Sequence, residues 1–132
     1  MTPDEYCQEK AAKSGSSFYY SFLFLPPERR RAITALYAYC REVDDVVDEC
    51  TDPSLARIKL AWWRTQVDQM FEGKPDHPVT RALQPHLQSC SITRERLLAV
   101  TDHAETAGAQ LALSLTAAQL QQLERKYAKN NA

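Results

Sequence analysis

Three aspartates, Asp44, Asp45 and Asp48, preceded by Arg41, are the residues of this 132-residue chain whose types and spacing could do chemistry. Carboxylates one helical turn apart present oxygens to the same region of space. That suits a hard ion such as Mg²⁺, which takes one or two protein carboxylates and fills its octahedron with waters and phosphate oxygens. Glu42, Asp44, Asp45, Asp48, Glu49 and Asp52 crowd together near an expected helix C-terminus, where the macrodipole disfavours each negative charge by about 0.3–1 kcal/mol. Like charges at i, i+4 add roughly 0.2–0.5 kcal/mol per pair. Arg41 can offset part of this through Asp44 and Asp45, but one cation does not neutralise six anions. A divalent cation would. The plainer reading is a solvated acidic face; a calcium EF-hand does not compete, because its alternating ligands and central glycine are missing.

The element that must position these side chains is a helix opened by Pro26-Pro27 and running over roughly 28–50. On a wheel advancing about 100° per residue, Ile33, Leu36, Tyr37, Cys40, Val43 and Val47 gather into one apolar sector. Arg41, Asp44, Asp45 and Asp48 fill the neighbouring one. The expectation is that the first sector is the core face and that the carboxylates line its border.

The remaining punctuation is helical throughout. Thr2-Pro3-Asp4-Glu5 offers an N-cap, a first-turn proline and a capping-box glutamate, and that helix should fade near Ser14-Gly15-Ser16-Ser17. The aromatic run from Phe18 to Leu25 reads as a short helix or packed turn, since one strand without a partner forms no sheet. Asp52-Pro53 starts a helix to about Phe71, stopped by Gly73-Lys74-Pro75. Asp76 and Pro78 open another, ending near Ser89; Thr93 caps the next, with Ile92 and Leu97 as a hydrophobic staple. A last helix is expected from Thr116, with Gln119 completing a capping box, Leu115 and Leu120 as staple, and Leu120, Leu123 and Tyr127 as buried stripe. The class is all-α: one helical domain over 1–132, with no internal repeat and no low-complexity linker.

Composition excludes several functions. The net charge is −1 and the pI about 6.3, with basic residues scattered, so nothing argues for a nucleic-acid partner. Cys7, Cys40, Cys50 and Cys90 form no C-x-x-C pair, which speaks against a zinc site and a disulfide framework. The polar, acidic N-terminus is the reverse of a secretory n-region, and the Phe18–Leu25 patch is too short to span a membrane. A reduced, cytoplasmic protein is expected. Trp62 and Trp63 face different sides of a helix, one at least in the core; His77, His86 and His103 read as surface or cap residues.

The string LYAYCREVDDVVDE over 36–49, preceded by SGSSFYYSF over 14–22, resembles the N-terminal signature of the squalene/phytoene synthase family, and the separation of the two matches as well. Within that family it looks most like the bacterial hopanoid-pathway enzymes that join two farnesyl diphosphates into presqualene diphosphate. The resemblance implies the N-terminal part of a class I isoprenoid synthase bundle. By position, Asp44 and Asp48 are the ends of a D-x-x-x-D motif holding Mg²⁺ against a prenyl diphosphate, with Asp45 an auxiliary acid. Arg41 would contact diphosphate oxygens, a role suited to its forked donors. Tyr37 would stand near the reacting carbons, or be a core tyrosine. Phe18 would line the prenyl cavity, or fill the core. Ser14, Ser16 and Ser17 match a loop that reaches the diphosphate, or simply stop a helix. The implied reaction is ionisation of an allylic diphosphate and attack by a second prenyl double bond, driven by electrostatic stabilisation of the leaving group and exclusion of water.

The resemblance holds to about Val100. Beyond it the family would continue with a helix carrying Gly-Met and further acids, then a second aspartate-rich motif, and nothing in 101–132 replaces them; Asp102 and Glu105 read as surface residues. The expectation is therefore a truncated or degenerate member, weak or inactive alone, whose exposed apolar helix faces favour homo-oligomers and which can make peripheral membrane contact. Two other classes stay open: a non-catalytic helical self-association module, and a prenyl-diphosphate-binding subunit that completes its site with another chain.

Overall fold

Caps and prolines divide the chain into helices much as their local chemistry dictates. A computed structural model describes residues 1–14, 18–50 and 52–114. It contains α1 (Pro3–Lys13), α2 (Phe18–Phe22), α3 (Pro27–Glu49), α4 (Pro53–Phe71), α5 (Pro78–Leu83) and α6 (Arg94–Ser114), with one 3₁₀ turn over Gln84–His86. No strand occurs among the described residues, and the fold is all-α. The expected helix from Thr116, with Leu115, Leu120, Leu123 and Tyr127, lies outside the described residues.

The Glu5 amide donates to Thr2 Oγ1 at 3.1 Å, the Ser54 amide to Asp52 Oδ1 at 2.9 Å, and the Arg96 amide to Thr93 Oγ1 at 3.2 Å. These bonds satisfy first-turn N–H groups that have no partner within the helix. At α5 the cap is His77, whose Nδ1 accepts from the Val79 amide at 3.1 Å, rather than Asp76. α4 closes with the Lys74 amide on the Gln69 carbonyl and the Gly73 amide on the Met70 carbonyl, Gly73 sitting at φ 86°.

One helix is shorter than its pattern. The segment expected to run from Pro78 to Ser89 leaves the α conformation at Leu83, because Pro85 has no N–H to donate and its ring crowds the preceding turn. The turn that follows brings His86 into the interior, against its reading as a surface residue.

α3 is the axis of the bundle, touching α1, α2, α4, α5 and α6. Its buried residues are Ala32, Thr34, Ala35, Ala38, Tyr39 and Val43. This shifts the wheel and keeps part of it: Val43 is core and Leu36, Cys40 and Val47 pack against the core while half-buried, but the centre of the buried face lies at Ala35, Ala38 and Tyr39. Small side chains at Ala35 and Ala38 let neighbouring helices approach closely, which centres the covered face on them. The Tyr39 ring meets Trp63 edge-on at 5.9 Å, and its hydroxyl bonds the Leu97 carbonyl at 3.0 Å and Thr101 Oγ1 at 2.6 Å. Trp63 is core and Trp62 exposed, as adjacent helical positions require. On α6, Asp102 and Glu105 are surface residues that share Arg64 of α4, at 2.7 and 2.6 Å. All four cysteines are free thiols.

Candidate functional site

At the edge of the core-facing side, α3 carries Ile33, Leu36, Tyr37, Cys40 and Val47, all half-buried, with Asp44 and Asp48 exposed among them. The two aspartates therefore stand where the core gives way to solvent: Cys40 and Val47, within one turn of Asp44 on either side, pack on the core while both aspartates are exposed. They are one turn apart, and across from them stands α6, whose His103 is close enough to act on the charge of Asp44. Asp44 is exposed as a residue, yet its carboxyl loses part of its hydration. That loss of hydration and the neighbouring charges of Asp48 and Asp45 hold its pKa above the ordinary carboxylate value, against the opposing pull of Arg41 and His103. A site of this kind gains from a bound cation.

Asp45 is used differently. Its Oδ1 accepts from the Arg41 guanidinium at 2.7 Å and its Oδ2 from Lys10 of α1 at 2.5 Å. Lys10 also lies 3.7 Å from Glu42, which accepts from the Tyr6 hydroxyl at 2.7 Å. Burial works to raise the Asp45 pKa, but the bonds and charges of Lys10 and Arg41 prevail and lower it. Lys10 is thus a second cation within the acidic cluster. No local pattern points to it, since it comes from another helix.

Tyr37 and Ser14 are brought together, their hydroxyl oxygens 3.0 Å apart, and Ser14 Oγ also donates to the Ala11 carbonyl at 2.6 Å. The Phe22 ring packs edge-on against Tyr37 at 5.6 Å, fixing α2 beside the aspartate helix. Phe18 opens α2. Ser16 and Ser17 lie outside the described residues.

Two hard carboxylates at i, i+4 fit the donor set of Mg²⁺, with room left for waters and phosphate oxygens. Among the described residues no three His, Cys, Asp or Glu side chains are gathered as a ready-made metal cluster. A cleft of about 580 Å³ lies on the opposite side of α3, lined in part by Lys10, Glu49, Lys59, Trp62 and His77. Neither Asp44 nor Asp48 reaches it.

The sequence profile described as Squalene/phytoene synthase matches residues 11–126. Presqualene diphosphate synthase of Sinorhizobium fredii is 31% identical over 100 residues, which are 76% of this chain and 36% of that protein. Phytoene synthase 1, chloroplastic, of Arabidopsis thaliana is 34% identical over 77 residues, 58% of this chain and 18% of that protein. The 15-cis-phytoene synthase of Synechocystis is 32% identical over 85 residues, 64% of this chain and 25% of that protein. The chain thus spans between 18% and 36% of the length of these relatives. No solved structure matches it.

Proposed function

This chain belongs to the squalene/phytoene synthase family, and on that footing we propose that it binds a prenyl diphosphate, farnesyl diphosphate, with Asp44 and Asp48 as ligands of Mg²⁺. The reaction served is the head-to-head condensation of two farnesyl diphosphates to presqualene diphosphate or squalene, in the cytoplasm. A single observation carries this reading. Asp44 and Asp48 stand one turn apart at the half-buried apolar edge of the core-facing side of α3, while Asp45 between them is committed to Lys10 and Arg41.

Bound Mg²⁺ supplies neutralisation of the diphosphate leaving group. The chain's own residues do the rest. Arg41, anchored through Asp45, keeps guanidinium N–H groups for diphosphate oxygens. Tyr37 and Ser14, held to each other, stand one turn nearer the start of α3 and approach the ester oxygen and the reacting carbons. Phe18, with Ser16 and Ser17, belongs to the segment that lines the prenyl chain and reaches the diphosphate. Leu36, Cys40 and Val47 supply an apolar wall that limits water beside the developing allylic cation. A face this open binds weakly until another surface closes it.

Calorimetric titration with a non-hydrolysable farnesyl diphosphate analogue, with and without Mg²⁺, tests the reading. Mg²⁺-dependent binding that disappears in Asp44→Asn/Asp48→Asn supports it; equal heats in both proteins sink it. A second reading rests on exposed Leu55, Ile58 and Trp62, which line one side of α4: a helical self-association module or partner subunit derived from the family. Light scattering that gives a homo-oligomer indifferent to Mg²⁺ and prenyl diphosphate selects it.

A further inference from the structure

The most exposed large apolar side chain of the described residues is Phe24, at 90%, and Tyr20 near it is 65% exposed. Leu23 and Leu25 are exposed as well, so the turn between α2 and α3 forms a projecting apolar tip. Hydrogen bonds from the Leu23, Phe24 and Leu25 amides to the Tyr20, Ser21 and Phe22 carbonyls, at 3.3, 3.4 and 3.1 Å, hold this shape. The tip is a built turn that points four apolar side chains outward.

Immediately after it, the first two turns of α3 carry Arg29, Arg30 and Arg31 against one acid, Glu28. None of the three arginines has an ion-pair partner among the described residues. Their placement runs against helix electrostatics, because the positive end of the macrodipole disfavours cations. The N-cap, Pro26, makes no side-chain hydrogen bond to the first-turn N–H groups. An apolar tip ringed by unpaired cations and uncapped N–H groups is complementary to a surface that is apolar below and anionic at its rim.

We infer that the α2–α3 tip docks on an anionic phospholipid bilayer, with Tyr20, Leu23, Phe24 and Leu25 entering the interface and Arg29 and Arg31 on the headgroups. No helix of the described residues is long and apolar enough to cross a membrane, so the contact is peripheral. The inference deepens the prenyl-diphosphate reading, which supplies an amphiphilic substrate, and it names the surface by which that substrate is met. Phe22 connects the two places, lying in the same short helix as Tyr20 and packing on Tyr37 at 5.6 Å.

Flotation of the full chain with vesicles, without Mg²⁺ or prenyl diphosphate, tests the docking apart from the substrate reading. The vesicles are phosphatidylcholine alone or phosphatidylcholine with about a third phosphatidylglycerol. The expected result is at least about ten-fold stronger binding to the anionic vesicles, weakened by salt. Phe24→Ser and, separately, Arg29→Gln/Arg31→Gln should each reduce it by about ten-fold, with unchanged circular dichroism because these side chains are exposed. No binding to anionic vesicles overturns the inference, as does binding that neither substitution alters. A dimer that Phe24→Ser splits, with vesicles left unbound, also overturns it and gives the tip to a second copy of the chain.

Discussion

The Lys10 ammonium of α1 lies 2.5 Å from Asp45 Oδ2 of α3, an ion pair between residues 35 positions apart. Both side chains are less than one-third exposed, so solvent screens the pair only in part. Lys10→Met should lower stability by about 1–2 kcal/mol in urea denaturation at neutral pH. The pair lowers the Asp45 pKa below its ordinary 3.8, so its contribution is full above that value. It is lost as pH falls through the still lower folded value. The difference between wild type and Lys10→Met should accordingly close in acid; a gap that persists at pH 2 would assign the loss to packing.

Asp44 and Asp45 are adjacent acids with opposite consequences for stability. Asp45→Asn removes a carboxylate held by two cations and should cost about 1–2 kcal/mol. Asp44→Asn removes one that is repelled by Asp48 and Asp45 in the last turns of a helix. It should leave stability unchanged or raise it by up to about 0.5 kcal/mol. Thermal unfolding of the two variants without Mg²⁺ checks this, and a comparable loss in both would remove the argument that Asp44 is placed for a ligand.

Tyr39 is buried, and loss of its hydroxyl strands the bonds it makes with Thr101 and the Leu97 carbonyl. Tyr39→Phe should cost about 1–3 kcal/mol in urea denaturation. Thr101 Oγ1 retains a bond to the Leu97 carbonyl at 3.2 Å, which favours the lower half of that range.

Ser91 sits at φ 53°, ending the turn before α6 with the Ile92 amide on the Leu87 carbonyl at 2.9 Å. That is the position where glycine normally closes such a motif, and a Cβ is strained there. Ser91→Gly should raise stability by about 0.5–1 kcal/mol once the added freedom of the unfolded chain is subtracted. Calorimetric melting decides the sign.

Local chemistry made much of this fold legible. Thr2, Asp52 and Thr93 cap where their side chains can reach N2 or N3 amides, and Gly73 stops α4 because it accepts a positive φ. The orientation of α3 was legible only in part: Val43, Leu36, Cys40 and Val47 do meet the core, but its centre lies to one side of them. A helical wheel weighs side chains by apolarity, whereas Ala35 and Ala38 are buried because their smallness admits neighbouring helices. The division of labour among the aspartates was hidden for a related reason: Asp45 is claimed by Lys10, a partner set by tertiary packing. His86 went inside because Pro85 redirects the backbone, an effect that outweighs the polarity of the ring. The motif nevertheless identified the helix and the family, since those depend on residues within one stretch of chain.

The Tyr39 hydroxyl also acts as a gauge for sliding. By gripping α6 at Leu97 and Thr101, it fixes the register of α6 against α3, and with it the distance from which His103 adds its small pull on Asp44. A slip of one turn, about 5.4 Å along the axis, would change that distance. The bond that closes the core therefore also tunes, from a distance, one of the charges that act on the aspartate of the same helix.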